Sequence, residues 1–135
     1  MISGLSQALY NGSYERDKVN IVIFEFLLSQ IWSDGEDSYI WSGRAATTAQ
    51  SMGMHRTTAN SKLVDEDKRL WRRVWWAVFI RDRHAAAATG RPYRIHEDFN
   101  DIELPQREDF DTEEIFLRFF YSVKLAKLGK LHGPA

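Results

Sequence analysis

The chain has 135 residues, 44% of them hydrophobic and 13% aromatic, enough for one domain with its own core. A formal charge of −1 and a pI near 6.4 argue against whole-chain attraction to nucleic acid or to an acidic membrane. With no cysteine, disulfides, cysteine nucleophiles and cysteine-based zinc sites are excluded, and an intracellular chain is the simplest expectation.

Met1–Tyr10 has no basic n-region and reads as no signal peptide, so the Asn-Gly-Ser at 11–13 carries no weight as a glycosylation site. The apolar run "IVIFEFLLSQIW" (21–32) contains Glu25 and Gln30 and falls short of the roughly 20 residues of a membrane span. It predicts a first, buried helix from about Asp17 to Trp32, although its β-branched "VNIVI" would also suit a strand. A second helix is predicted from about Tyr39 to Met52, with Ser38 as N-cap and Gly53 as stop. Its end, "AATTAQSMGMHR", is rich in small residues for close packing, and Met54 can fold back over the last turn.

A third helix is predicted from Asp65 to Thr89. Asp65, Glu66 and Asp67 suit the positive end of its dipole, and Gly90 and Pro92 end it. A fourth runs from about Glu113 to Leu128, with Thr112 as N-cap. Between them, 91–111 shows no sustained period and reads as an ordered irregular segment pinned by Tyr93, Ile95, Phe99, Ile102, Leu104 and Phe110. The class is all-α, with about four helices in a single domain over 1–135.

In the third helix, tryptophan and arginine interleave as "RLWRRVWWAVFIRDRH". At 100° per residue, Trp71, Val74, Trp75, Val78 and Phe79 form one core stripe. Arg72, Arg73, Trp76, Ile80 and Arg83 fall on the other side. That side is expected to meet either another helix of this domain or a partner. Taken as a partner-contact face, it implies that Trp76→Ala changes association more than folding. Asp82 continues the core line, and a buried carboxylate must be paired or hydrogen-bonded. Arg91 and Arg94, just past the helix stop, are its candidate partners in a clamp. Residues 65–94 hold eight basic and four acidic side chains, and 97–114 hold one basic and nine acidic. The acidic segment is therefore expected to lie near the basic helix and neutralise it, which weakens a DNA-binding reading of the arginines.

Catalytic chemistry finds little support. His55, His84, His96 and His132 make no metal-ligand spacing, and there is no phosphate loop or nucleophile elbow. No catalytic, metal or cofactor-binding residues are assigned and no cofactor is expected. The alternative is a small helical enzyme or ligand-binding protein using Asp82 with His84, or His96 with Asp98.

The order "AQSMGMHR", then Glu66, "RLWRRVWWAVFIRDR", "GRP" and "IHEDFNDIELP" resembles the fungal-specific transcription factor regulatory domain, the middle homology region of binuclear zinc-cluster regulators. The match is best over 69–105 and fair over 27–68, and it is not apparent in the last thirty residues. Met52, Gly53 and Met54 stand at the family's helix-ending corner, followed by His55 and Arg56. Arg72, Arg73, Trp75 and Trp76 stand in its "RR.WW" run, Asp82 and Arg83 in its "DR" pair, and Gly90, Arg91 and Pro92 in its "GRP". Asp98, Asp101, Leu104 and Pro105 stand in its "D.D..LP" tail. The resemblance implies an all-helical, non-enzymatic, nuclear module that regulates transcription. Its partners would be other parts of the same regulator, co-regulator proteins or a small-molecule effector of unspecified chemistry. The six-cysteine head that binds DNA in this family is not in this sequence, so DNA contact would come only through such a head elsewhere. A fragment, a truncated product and a short relative are all compatible with that.

Overall fold

The structure, a computed structural model, describes residues 20, 23, 36–59 and 61–132. Among them are three α-helices, two short 3-10 turns and no strand: α1 (Glu36–Ser51), α2 (Asp65–Thr89), the turns Glu97–Phe99 and Arg107–Asp109, and α3 (Glu113–His132). The all-α class holds. The helix expected over Asp17–Trp32 lies outside the described residues apart from Asn20 and Ile23, which are helical. Among the described residues no helix is long and apolar enough to cross a membrane.

Helix α2 is the central element, packed on α1 and on α3. On α1, Ser42, Ala45, Ala46 and Ala49 recur at helical spacing and are all buried, giving a flat face that lets the two helices approach closely. Ser38, expected as the N-cap, lies inside α1. The helix starts at Glu36, and the Ser38 hydroxyl instead accepts from the Arg81 guanidinium of α2.

At the end of α1, Gly53 takes the left-handed conformation (φ +80°). The Gly53 and Met54 amides donate back to the carbonyls of Gln50 and Ala49, each at 3.0 Å, and Met54 is fully buried beneath the reversal. Helix α2 stops the same way. Gly90 is left-handed (φ +67°), the Arg91 amide reaches back to Ala86 O at 3.0 Å, and Pro92 prevents continuation. Helix α3 begins where the Thr112 hydroxyl accepts the Ile115 amide at 3.2 Å. It meets the core through Val123 and Ala126.

Candidate functional site

The expected core stripe of α2 is where projection puts it. Trp71, Val74, Trp75, Val78 and Phe79 are all buried, with Trp75 and Phe79 fully so. The opposite side is buried too, which corrects its reading as a partner-contact face and leaves the other expectation, a neighbour within this domain. Trp76 is 1% exposed, Arg72 and Arg83 are buried, and Arg73 and Ile80 are half-buried. The physical reason is the irregular segment, which lies over this side and accepts hydrogen bonds from Arg72, Arg73, the Trp76 indole and one nitrogen of Arg83, while Arg83 Nε and Nη1 find no acceptor. The Trp76 indole N–H donates to Glu103 O at 2.8 Å, its ring meets Phe79 edge-on, and the Lys127 ammonium sits 5.1 Å from the ring centroid.

Arg72 makes a buried, forked ion pair with Asp109, at 2.9 Å from Nε to Oδ2 and 2.6 Å from Nη2 to Oδ1. Its Nη1 donates to Thr58 Oγ1 at 3.3 Å, and the contact with Asp109 holds the guanidinium pKa above its ordinary value. Asp109 Oδ2 also accepts the Gln106 amide at 3.0 Å, while Arg73 Nη1 donates to Asp109 O at 2.8 Å. Arg83 lies over the Tyr93 ring, 3.4 Å from its centroid, and donates to Ile95 O at 3.0 Å.

The Asp82 clamp exists, but it closes on backbone. Asp82 is 0% exposed and accepts the amides of Arg94 (3.0 Å) and Ile95 (2.9 Å). Burial pushes its carboxyl pKa up, and the two amides together with the Arg83 and Arg94 charges oppose that. The two arginines proposed for the clamp turn away toward α1. Arg94 Nη1 donates to Tyr39 O at 2.9 Å and its guanidinium lies 3.7 Å from the centre of the Tyr39 ring, with Arg91 5.2 Å from the same ring. The Tyr39 hydroxyl closes the loop by donating to Pro92 O at 2.8 Å. Gly43 lies beneath, where an added Cβ would push the Arg94 guanidinium off its place.

Asp101 and Glu103 fasten the same segment to the corner between α1 and α2. The amides of Asp101 and Ile102 donate to His55 O at 3.0 and 3.1 Å, and Asp101 Oδ1 accepts the Thr57 amide at 2.8 Å. The Glu103 carboxylate takes the hydroxyls of Thr57 and Thr58 and the Thr58 amide. Burial pushes the Glu103 pKa up, but the hydrogen bonds outweigh it together and hold the carboxyl below its ordinary value. His84 and His96 are exposed, as is Asp98, while Asp82 is sealed behind backbone. Neither acid–histidine pair therefore shares a pocket. Among the described residues no three histidine or carboxylate side chains come together as a metal site.

An exposed apolar stripe lies on α3, which sequence reasoning did not single out. Leu117, Tyr121, Leu125 and Leu128 are 40%, 62%, 68% and 46% exposed. Their spacing of i, i+4, i+8 and i+11 makes a stripe opposite the Val123–Ala126 face that enters the core. Projecting α3 at 100° per residue, as for α2, would have found it.

The order of these pieces is that of a known family. A model of the fungal specific transcription factor domain matches residues 11–128. The chain belongs to that family. It is 42% identical to cutinase transcription factor 1 alpha of Fusarium vanettenii over 113 residues, 81% of this chain and 12% of that protein. It is 32% identical to the acetamidase regulatory protein of Aspergillus oryzae over 109 residues, 76% of this chain and 14% of that one. Against multidrug resistance regulator 1 of Candida albicans it is 38% identical over 79 residues, 56% of this chain and 7% of that protein. The chain thus spans less than a sixth of the length of these curated relatives. No solved structure matches it.

Proposed function

We propose that this chain is a non-enzymatic regulatory module of a fungal transcription factor. It acts in the nucleus, as one unit of a larger regulatory region, by presenting a surface to other protein. The relatives' names differ in what is regulated (cutinase, acetamidase, multidrug resistance) and agree on regulation. The module's work is therefore a step these regulators share rather than recognition of particular genes.

The observation that carries this reading is the α3 stripe, four large apolar side chains that solvent reaches in a domain whose other aromatic-rich helix is closed on both sides. A contiguous apolar stripe of this kind marks a contact surface. The buried ion pair and the Asp82 clamp serve it by holding the irregular segment onto α2. In a complete regulator carrying this chain, Tyr121→Ser with Leu125→Asp is expected to change reporter transcription several-fold while the melting temperature of the isolated chain stays put. Unchanged transcription would remove the reading.

A further inference from the structure

We infer that α1 and the start of the irregular segment form a binding site for a small organic carboxylate, held between the guanidinium groups of Arg44 and Arg94. Ile40, Gly43, Arg44, Thr47 and Thr48 recur at i, i+3, i+4, i+7 and i+8, so they share one face of α1. With Arg94 they line a cavity of about 450 Å³ that opens to solvent, within the roughly 300–1,000 Å³ of small-molecule sites.

Gly43 creates the room. The Arg94 guanidinium lies over it, where a side chain would displace the group. One edge of Arg94 is fixed, with Nη1 donating to Tyr39 O at 2.9 Å and the Tyr39 ring 3.7 Å from the guanidinium carbon. Its Nε and Nη2 have no acceptor among the described residues, and the side chain is exposed. Arg44 is exposed too. It lies over the Trp41 ring, 4.8 Å from the centroid, and makes no hydrogen bond or ion pair among the described residues. No carboxylate lines the cavity beside them. Two like charges on one cavity disfavour each other, and an anion between their free N–H groups removes that cost. Asp82 is close enough to Arg94 for their charges to interact, which offsets part of one positive charge. A singly charged carboxylate therefore suits the site better than a doubly charged phosphate. Half-exposed Ile40 offers apolar surface to a short hydrocarbon body, and Thr47 offers an exposed hydroxyl. A bound anion ties α1 to the stretch whose amides hold Asp82, so binding stiffens that junction.

The test uses the full chain at neutral pH, with hexanoate, hexan-1-ol and inorganic phosphate as probes, titrated to tens of millimolar and followed by amide NMR shifts. Hexanoate is expected to shift Gly43, Arg44, Thr47 and Arg94 saturably and to raise the melting temperature. Hexan-1-ol should do neither, and phosphate should bind at least tenfold more weakly. Arg44→Gln, at an exposed position, should keep its circular dichroism and weaken hexanoate at least tenfold, with Arg44→Lys falling between the two. No saturable shift with hexanoate, or equal affinity in Arg44→Gln, would overturn the site. An equal response to hexan-1-ol would make it an apolar patch and an equal response to phosphate an unselective anion site; either result overturns the carboxylate assignment. The site uses no residue of the α3 stripe, so these outcomes leave the regulatory reading as it stands.

Discussion

Helices α2 and α3 each carry apolar residues on two sides, yet their second sides meet different fates. On α2 that side holds Trp76 among arginines, and the irregular segment covers it, satisfying Arg72 with Asp109, Arg73 with a carbonyl and the Trp76 indole with Glu103 O. On α3 it holds Leu117, Tyr121, Leu125 and Leu128 and stays open. Arginines beside a second apolar face did not mark exposure. Their donors were what an acidic, carbonyl-rich segment could bind while burying the tryptophan. A face without such donors offers the segment nothing directional.

Removing Asp109 should break the covered side most severely. Asp109→Ala leaves a buried guanidinium without its carboxylate, an expected loss of about 3–5 kcal/mol in urea unfolding. Adding Arg72→Met should return part of it. Trp75→Ala and Trp76→Ala are each expected to cost about 3–5 kcal/mol, in contrast to the sequence-based expectation that Trp76→Ala would mainly alter association. If Trp76→Ala is within 0.5 kcal/mol of wild type, the covered face is misassigned. Asp82→Asn should cost about 1–3 kcal/mol, because an amide replaces part of the acceptor set of Arg94 and Ile95. On the open side, Leu125→Asp should change stability by no more than about 0.5 kcal/mol.

Acid gives the finest comparison. Glu103 titrates below its ordinary value in the fold, so its contribution is present above the unfolded value and is lost as pH falls through the folded one. His55 is also held low, by burial and by Arg56, so the fold prefers it neutral and loses stability as pH drops below about 6.5. Asp82 runs the other way, its contribution growing as pH falls through its raised value. The melting temperature should therefore decline on acidification. Glu103→Gln should make that decline shallower and Asp82→Asn steeper.

Much of the fold was legible in the sequence. The limits of α2 agree to the residue because acids fill its first turn and Gly90–Arg91–Pro92 stops it. Gly53 and Met54 announced the corner after α1. The helices were less legible at their other ends: α1 starts before Ser38, whose hydroxyl is taken by a distant arginine, and α3 runs on to His132. The polar contacts were hardest to read. Arg72 finds Asp109 across 37 residues, and Asp82 binds amides whose position depends on the whole segment being folded, so no local pattern encodes either. Projection located Asp82 correctly but suggested the wrong atoms as partners. The stripe on α3 was present in the spacing all along.

The segment between α2 and α3 has almost no helix or strand, yet its amides at Arg94, Ile95, Asp101 and Ile102 are spent on a carboxylate and a carbonyl contributed by other elements. Each of these bonds opens only if the stretch leaves α2 or the corner, which also uncovers Trp76. Its hydrogen–deuterium exchange should therefore be as slow as that of the central helix, with one shared opening event, and a protease should cut it no sooner than the domain as a whole comes apart.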